Sequence, residues 1–331
     1  MPQDTATAFV TAAQAKTRPQ RPHVAVIVPV HNEEESIGPF LKAVRPVLDG
    51  LEADWSVLFI NDGSRDRTLD VLIGAMRDEA RISIINFARN FGKEAAMTAG
   101  LDAVDADAVI VMDVDLQDPP ELIAEFVRHW RAGYDVVYGA RSQRRSDSFL
   151  KRFTAARFYS MFNKVSNVPI PSNVGDFRLI DRRVVRSLGE LRERNRFMKG
   201  LFAWVGYPSM AVPYERPVRP HGETKFGFRR LWNFALDGIF GFSTLPLKAW
   251  TYLGLLLAVF AVLYAVYLTV RTLLFGIDVP GYASLMVAIL MVGAFQLTSL
   301  GIIGEYIARL TLESKSRPIY IVENHYKAGD L

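Results

Sequence analysis

Two stretches near the carboxyl end limit what this chain can fold into. Residues 249–270 and 279–304, 22 and 26 residues long, contain no Asp, Glu, Lys or Arg. As a helix rising 1.5 Å per residue, either crosses a hydrocarbon core about 30 Å thick. Core helices of soluble proteins rarely run so far without a charge, so two membrane spans joined by the short link 271–278 are expected. Arg229, Arg230 and Lys248 precede the first stretch, and Arg309, Lys315 and Arg317 follow the second. The positive-inside tendency then puts both chain ends in the cytoplasm, with Arg271 the single dissenting charge.

At 331 residues the chain holds one full domain besides this appendage. Its pattern is alternating. Apolar runs at 24–30, 56–60, 81–86, 108–113 and 135–139 read as strands. Helical patterns fill the gaps at 36–48, 68–77, 93–104 and 121–132. Strand–helix alternation of this kind predicts an α/β layered domain with a largely parallel sheet. The fourth run, Val109-Ile-Val-Met, ends in Asp113 and Asp115. On a strand, an i, i+2 pair points both carboxylates the same way. Carboxylates at a strand's carboxyl end suit a hard divalent cation, and Gln117 adds an amide oxygen. Pro119 and Pro120 then stop the run.

Several classes are disfavoured. There is no cysteine, hence no disulfide framework and no thiolate metal site. Neither a P-loop nor a dinucleotide-binding glycine motif occurs, and the five histidines lack zinc-ligand spacing. The net charge of +4 is modest, and no dense Lys/Arg run of nucleic-acid type is present. Basic residues gather instead between Arg141 and Arg230, ahead of the apolar stretches, which points to an anionic membrane face or a phosphate-bearing substrate.

Six motifs in order carry a resemblance: Val28-Pro-Val-His-Asn-Glu33, Asn61-Asp-Gly-Ser-Arg-Asp, Arg89-Asn-Phe-Gly-Lys93, Asp113-Val-Asp-Leu-Gln-Asp-Pro-Pro, Gly175-Asp-Phe-Arg178 and Gly222-Glu-Thr-Lys225. From about Val24 onward the chain resembles the family-2 glycosyltransferases of GT-A fold. The likeness is to the polyisoprenyl-phosphate branch, and the tail Gly301-Ile-Ile-Gly-Glu-Tyr-Ile-Ala-Arg309 is similar to its bactoprenol members. Two positions depart from the family pattern: His31 stands where an aromatic is frequent, and Asn61 where an Asp is common.

The resemblance implies roles. Pro29, Glu33 and Asp62 match residues that contact the donor nucleoside, and Lys93 a residue near the donor. Asp113, Asp115 and Gln117 match a Mg²⁺- or Mn²⁺-binding motif that clamps the donor diphosphate. Arg219 and Lys225 resemble a loop that closes over that diphosphate, with Gly222 as hinge. Asp176 matches an acid near the reaction centre and either positions a substrate or acts as base; Arg178 serves a phosphate or pairs with Asp176. Arg141, Lys151 and Arg152 supply cations for a lipid phosphate, Arg141 beside the reacting groups with Asp115 and Asp176.

The activity expected is inverting, metal-dependent transfer of a hexose, glucose from UDP-glucose first, onto undecaprenyl phosphate at the cytoplasmic face of a bacterial inner membrane. Another donor sugar is the nearest alternative. A lipid-phosphate binding or translocating protein is a further one, weakened by the intact Asp113, Asp115, Gln117 and Lys225. The expected organisation is a flexible tail (1–22), a GT-A domain (23–228), an interfacial amphipathic helix (229–248), a two-helix membrane domain (249–310) and a cytoplasmic tail (311–331). A homo-oligomer is expected from the family, and no nucleic-acid partner.

Overall fold

A computed structural model describes residues 18–141, 174–194, 196–215, 245–275 and 281–327. Through the first half, strands and helices alternate: β1 (His23–Val30), α1 (Ile37–Asp49), β2 (Asp54–Asn61), α2 (Thr68–Asp78), β3 (Ile82–Phe87), α3 (Lys93–Ala103), β4 (Ala108–Val111), α4 (Leu122–Arg131) and β5 (Val136–Arg141). Then come β6 (Val174–Asp181), α5 (Arg182–Glu190), α6 (Met198–Trp204), β7 (Ser209–Tyr214), α7 (Leu245–Phe275), α8 (Tyr282–Ser314) and β8 (Val322–Tyr326). Lys151, Arg152, Arg219, Gly222, Lys225 and nearly all of the expected interfacial helix lie outside the described residues.

The eight strands form one sheet in the order β7-β5-β6-β4-β1-β2-β3-β8. Its centre, β4-β1-β2-β3, is parallel, whereas β6 runs antiparallel to β4 and β8 antiparallel to β3. Central parallel strands are covered on both faces, and this explains the unbroken apolar runs of β1 and β4. Helices bury the matching stripes. Ile37, Phe40, Leu41, Val44 and Leu48 of α1 fall at helical spacing, as do Ile123, Phe126, Val127 and Trp130 of α4. On the other face α3 lies close to the sheet because Gly100 has no side chain to hold Ile27 and Ile60 away.

Strand order reverses between β1 and β4, since β2 and β3 follow β1 on one side and β4 returns to the other. In an open α/β sheet a crevice opens at the carboxyl ends of the strands at this switch point. Three strands were not anticipated. β6 was visible only as a motif, β7 carries Pro213 at a sheet edge where a missing N–H is tolerated, and β8 is short, mostly polar and exposed except at Tyr326.

The apolar helices are 31 and 33 residues long and touch through Trp250 and Phe295, ring centroids 6.2 Å apart. Leu256, Phe260 and Leu297 are 66%, 67% and 73% exposed, which is costly in water and ordinary in lipid. Among the described residues one stretch, Val287–Ser314 (mean hydropathy 2.0), is long and apolar enough to cross a membrane; the apolar run Trp250–Tyr264 in α7 is shorter. The second expected span thus meets the criterion, and the first does not over the described residues.

The loops after β2 and β3 pack backbone to backbone. Gly63 has φ 59°, and a Cβ there would stand 2.3 Å from the carbonyl carbon of Arg89. Gly63→Ala should therefore destabilise the protein by about 1–3 kcal/mol. A melting midpoint for detergent-purified Gly63→Ala equal to that of the wild type would contradict this packing.

Candidate functional site

At the switch point a lysine sits between two carboxylates. Lys93 Nζ lies 2.6 Å from Asp113 Oδ1 and 2.7 Å from Asp176 Oδ2. Topology brings them together. β6 is antiparallel to β4 with Val111 opposite Arg178, so two residues further on Asp113 faces Asp176. Lys93 opens α3 and reaches in from the next element.

The carboxylates themselves are not on a strand, contrary to the sequence expectation. β4 stops at Val111, and Asp113 and Asp115 belong to the turn that follows. The cause is local. Asp115 Oδ1 accepts from the amide of Gln117, and Leu116 takes a left-handed φ of 53°. Such short side-chain bonds compete with the ladder and end it. The turn is anchored from a distance by Tyr214 of β7, whose hydroxyl donates to the buried Asp118.

Two carboxylates and an amide oxygen on one turn form a hard donor set that fits a divalent cation. Among the described residues no group of three or more His, Asp or Glu side chains is gathered. A cation here would be held by Asp113, Asp115 and Gln117 and would draw its remaining oxygens from a bound anion or water. Asp176 Oδ1 is buried and has no hydrogen-bond partner, so one acceptor is left for a ligand hydroxyl.

Electrostatics follow from this packing. Burial works against the Lys93 ammonium, but Asp113 and Asp176 outweigh it and the net shift is upward. Burial alone would raise Asp176; Lys93, with Lys199 and Arg178, holds it well below the usual carboxylate range. Glu94, beside Lys93, is pushed up to about 7 by burial and then by Asp176, while its Oε2 accepts from the amide of Met198 at 2.9 Å. Burial lowers Arg178 to about 10.

A cavity of about 490 Å³ lies alongside, over the carboxyl ends of β2 and β3. His31, Asn61, Ser64, Asn86, Arg89 and Glu323 are among its lining residues. His31 Nδ1 bonds to the carbonyl of Asp62 at 2.8 Å.

The remaining expected residues fall as follows. Pro29 is in β1, and Glu33 accepts from the Ser36 hydroxyl at 2.6 Å. Asp62 is buried, with Oδ1 and Oδ2 accepting from the amides of Phe91 and Gly92, so it fixes the loop that leads into Lys93. Arg178 is buried; its guanidinium donates to the carbonyl of Gly175 at 2.7 Å and stacks on Phe202. Arg141 ends β5, opposite Tyr214. The structure thus unites Lys93, Asp113 and Asp176 and sets Asp62 and Arg178 behind them. Sequence reasoning missed Glu94, Asn86 and Glu323. Asn86, at the end of the third apolar run, had a usable signal; Glu323 had none.

Comparison with known proteins adds the following. Residues 25–189 match the profile of glycosyl transferase family 2, and residues 245–310 that of the GtrB C-terminal hairpin. The bactoprenol glucosyl transferase of Shigella phage SfV is 47% identical over 301 residues, 91% of this chain and 98% of the relative. The prophage bactoprenol glucosyl transferase homolog of Escherichia coli (strain K12) is 46% identical over 300 residues, covering 91% and 98%. An uncharacterized glycosyltransferase of Synechocystis sp., sll0501, is 49% identical over 301 residues, covering 91% and 95%.

The raised Glu94 makes stability depend on pH. Its folded pKa of about 7 exceeds the ordinary Glu value of about 4.3, so between these values the folded protein binds more protons than the unfolded chain. Its contribution to stability therefore declines as pH rises through that window. In Glu94→Gln this decline should vanish, leaving the variant better off relative to wild type at about pH 8 than at about pH 5. Melting midpoints across that range check it; parallel curves for the two proteins would refute it.

Proposed function

The chain belongs to glycosyltransferase family 2, and from that footing we propose that it moves a hexose from a nucleotide sugar onto a polyisoprenyl phosphate at a membrane face. It is an α/β glycosyltransferase of GT-A fold with a mostly parallel sheet. The observation that carries the rest is the Lys93–Asp113–Asp176 cluster at the switch-point crevice, in one chain with long helices whose apolar side chains face outward. The relatives named bactoprenol glucosyl transferases support glucose as the sugar and a polyprenyl phosphate as the acceptor.

Each group has a part. Lys93 brings positive charge to the crevice floor where a donor diphosphate would lie. Asp113, Asp115 and Gln117 would hold Mg²⁺ or Mn²⁺, which when bound neutralises charge gathering on the leaving nucleoside diphosphate. The unpartnered Oδ1 of Asp176 accepts a hydroxyl of the sugar and orients the ring. An acceptor phosphate, with a second pKa of about 6, is already ionised near neutral pH and needs orientation rather than a strong base. Asp176 is thus a positioning residue, and attack from the face opposite the leaving group gives inversion. Arg141, Lys151 and Arg152 are the proposed cations for the acceptor phosphate, and Arg219 and Lys225 for the closing loop.

Two membrane crossings are part of this reading, and sheet topology supports them. β7 precedes the apolar helices and β8 follows them, yet both belong to one sheet. The chain must leave and re-enter on the same side of a bilayer, so the number of crossings between these strands is even. With α8 long enough to cross, α7 supplies the return. Charge flanks put that side in the cytoplasm. A homo-oligomer remains a family expectation.

The test is transfer of radiolabelled sugar to undecaprenyl phosphate by detergent-purified protein, with UDP-glucose, UDP-GlcNAc, UDP-galactose and GDP-mannose as donors. A lipid-extractable product from UDP-glucose, abolished by EDTA and restored by Mg²⁺ or Mn²⁺, is expected. Product from another donor alone would correct the sugar, and product that survives EDTA would sink the metal. Asp113→Asn and Asp115→Asn should each lower turnover about 100-fold or more. Lipid-phosphate binding should persist in both variants.

A further inference from the structure

One wall of the 490 Å³ cavity comes from beyond the membrane helices. Glu323 lies on β8, at the β3 edge, and its Oε2 accepts from Asn86 Nδ2 at 2.8 Å. Asn86 Oδ1 accepts from Asn61 Nδ2 at 2.7 Å, and Asn61 Oδ1 from the Ser64 hydroxyl at 2.5 Å. A carboxylate only accepts, so Glu323 compels Asn86 to turn its NH₂ outward, and the other two bonds follow in a fixed direction. Asn61 and Asn86 are 1% and 5% exposed, so neither can invert without stranding a buried amide. This relay uses one oxygen of Glu323. The other, Oε1, takes no hydrogen bond among the described residues, and the side chain is exposed at the cavity.

We infer that Glu323 reads the base of the donor nucleotide, its Oε1 accepting a ring N–H. The inference rests on the nucleotide-sugar reading above and names the selectivity of the same site. Three strand spacings, about 14 Å, separate β3 from β4, of the order of a nucleoside diphosphate's length. With the diphosphate held at the cation site of Asp113, Asp115 and Gln117 and repelled by Glu323, the outermost part of the ligand, the base, falls to the β3–β8 side. An acceptor aligned on the ring nitrogen favours uracil or guanine, which present an N–H there, over cytosine, whose ring nitrogen is itself an acceptor and whose one donor, the exocyclic amine, lies off that line. Unpaired acceptors facing each other in a pocket are what enforce such a choice.

Glu323→Gln separates this from a structural role. Gln has one carbonyl, which Asn86 claims, so the ligand meets an NH₂ instead. Calorimetric titration of the full chain in detergent with UDP, GDP and CDP, each with Mn²⁺, reads the outcome. Wild type should prefer an N–H base, UDP or GDP, over CDP. Glu323→Gln should weaken that preferred nucleotide about tenfold or more and narrow or reverse its ratio to CDP. The ratio does not depend on the fraction of protein that is folded, so partial loss of β8 cannot imitate the result. An unchanged ratio, whether affinities hold or fall equally, overturns base reading, equal loss being the mark of a ribose contact. A wild type that favours CDP also overturns it and leaves sugar transfer standing; a wild type that binds no nucleotide overturns both.

Discussion

The ammonium of Lys93 holds together a crevice that would otherwise repel itself. Asp113 and Asp176 face each other across an antiparallel register, and two carboxylates so placed cannot both ionise comfortably without a cation between them. Three separately built pieces meet at that nitrogen: the turn after β4, the start of β6 and the amino terminus of α3. Much of the surrounding structure serves to deliver them. Asp62 clamps the loop that aims α3, Gly63 lets that loop approach, and Tyr214 tethers the turn through Asp118.

How legible this was in the sequence depended on periodicity. β1 to β4 are apolar runs because a central parallel strand is buried on both faces, and the amphipathic helices between them show their stripes. Those elements could be read directly, whereas the switch point rests on the pairing of β4 with β1, which periodicity does not give. β6 and β7 alternate weakly, and β8, Val-Glu-Asn-His-Tyr, has only Val322 and Tyr326 to mark an apolar face. Its pairing is set by β3, far away in sequence, which no local pattern encodes. Among site residues, Lys93 and Asp113 were legible as motif members and do meet. The strand geometry assumed for Asp115 was not legible, because a single side-chain bond to Gln117 ended the strand early.

Motifs also blurred two kinds of charge. Asp62 and Arg178 belong to recognisable signatures, yet one is spent on two backbone amides and the other on a carbonyl and an aromatic ring. Both are buried, and each holds neighbouring groups of the crevice in place. Glu94 is the converse. Nothing in its sequence context marks it, yet it shares the environment of Asp176 and pins the start of α6 through the Met198 amide.

The position of β8 has a bearing on how the protein is made. A ribosome releases β1 to β7 first, then the two apolar helices, and only then the strand that covers β3. Until it arrives, β3 is an open edge with unpaired N–H and C=O groups, the kind of surface that recruits stray strands. The covering strand becomes available only after both helices have been synthesised. Completion of the sheet therefore waits on synthesis of both apolar helices, so a chain cut short within or just after them would leave the β3 edge uncovered.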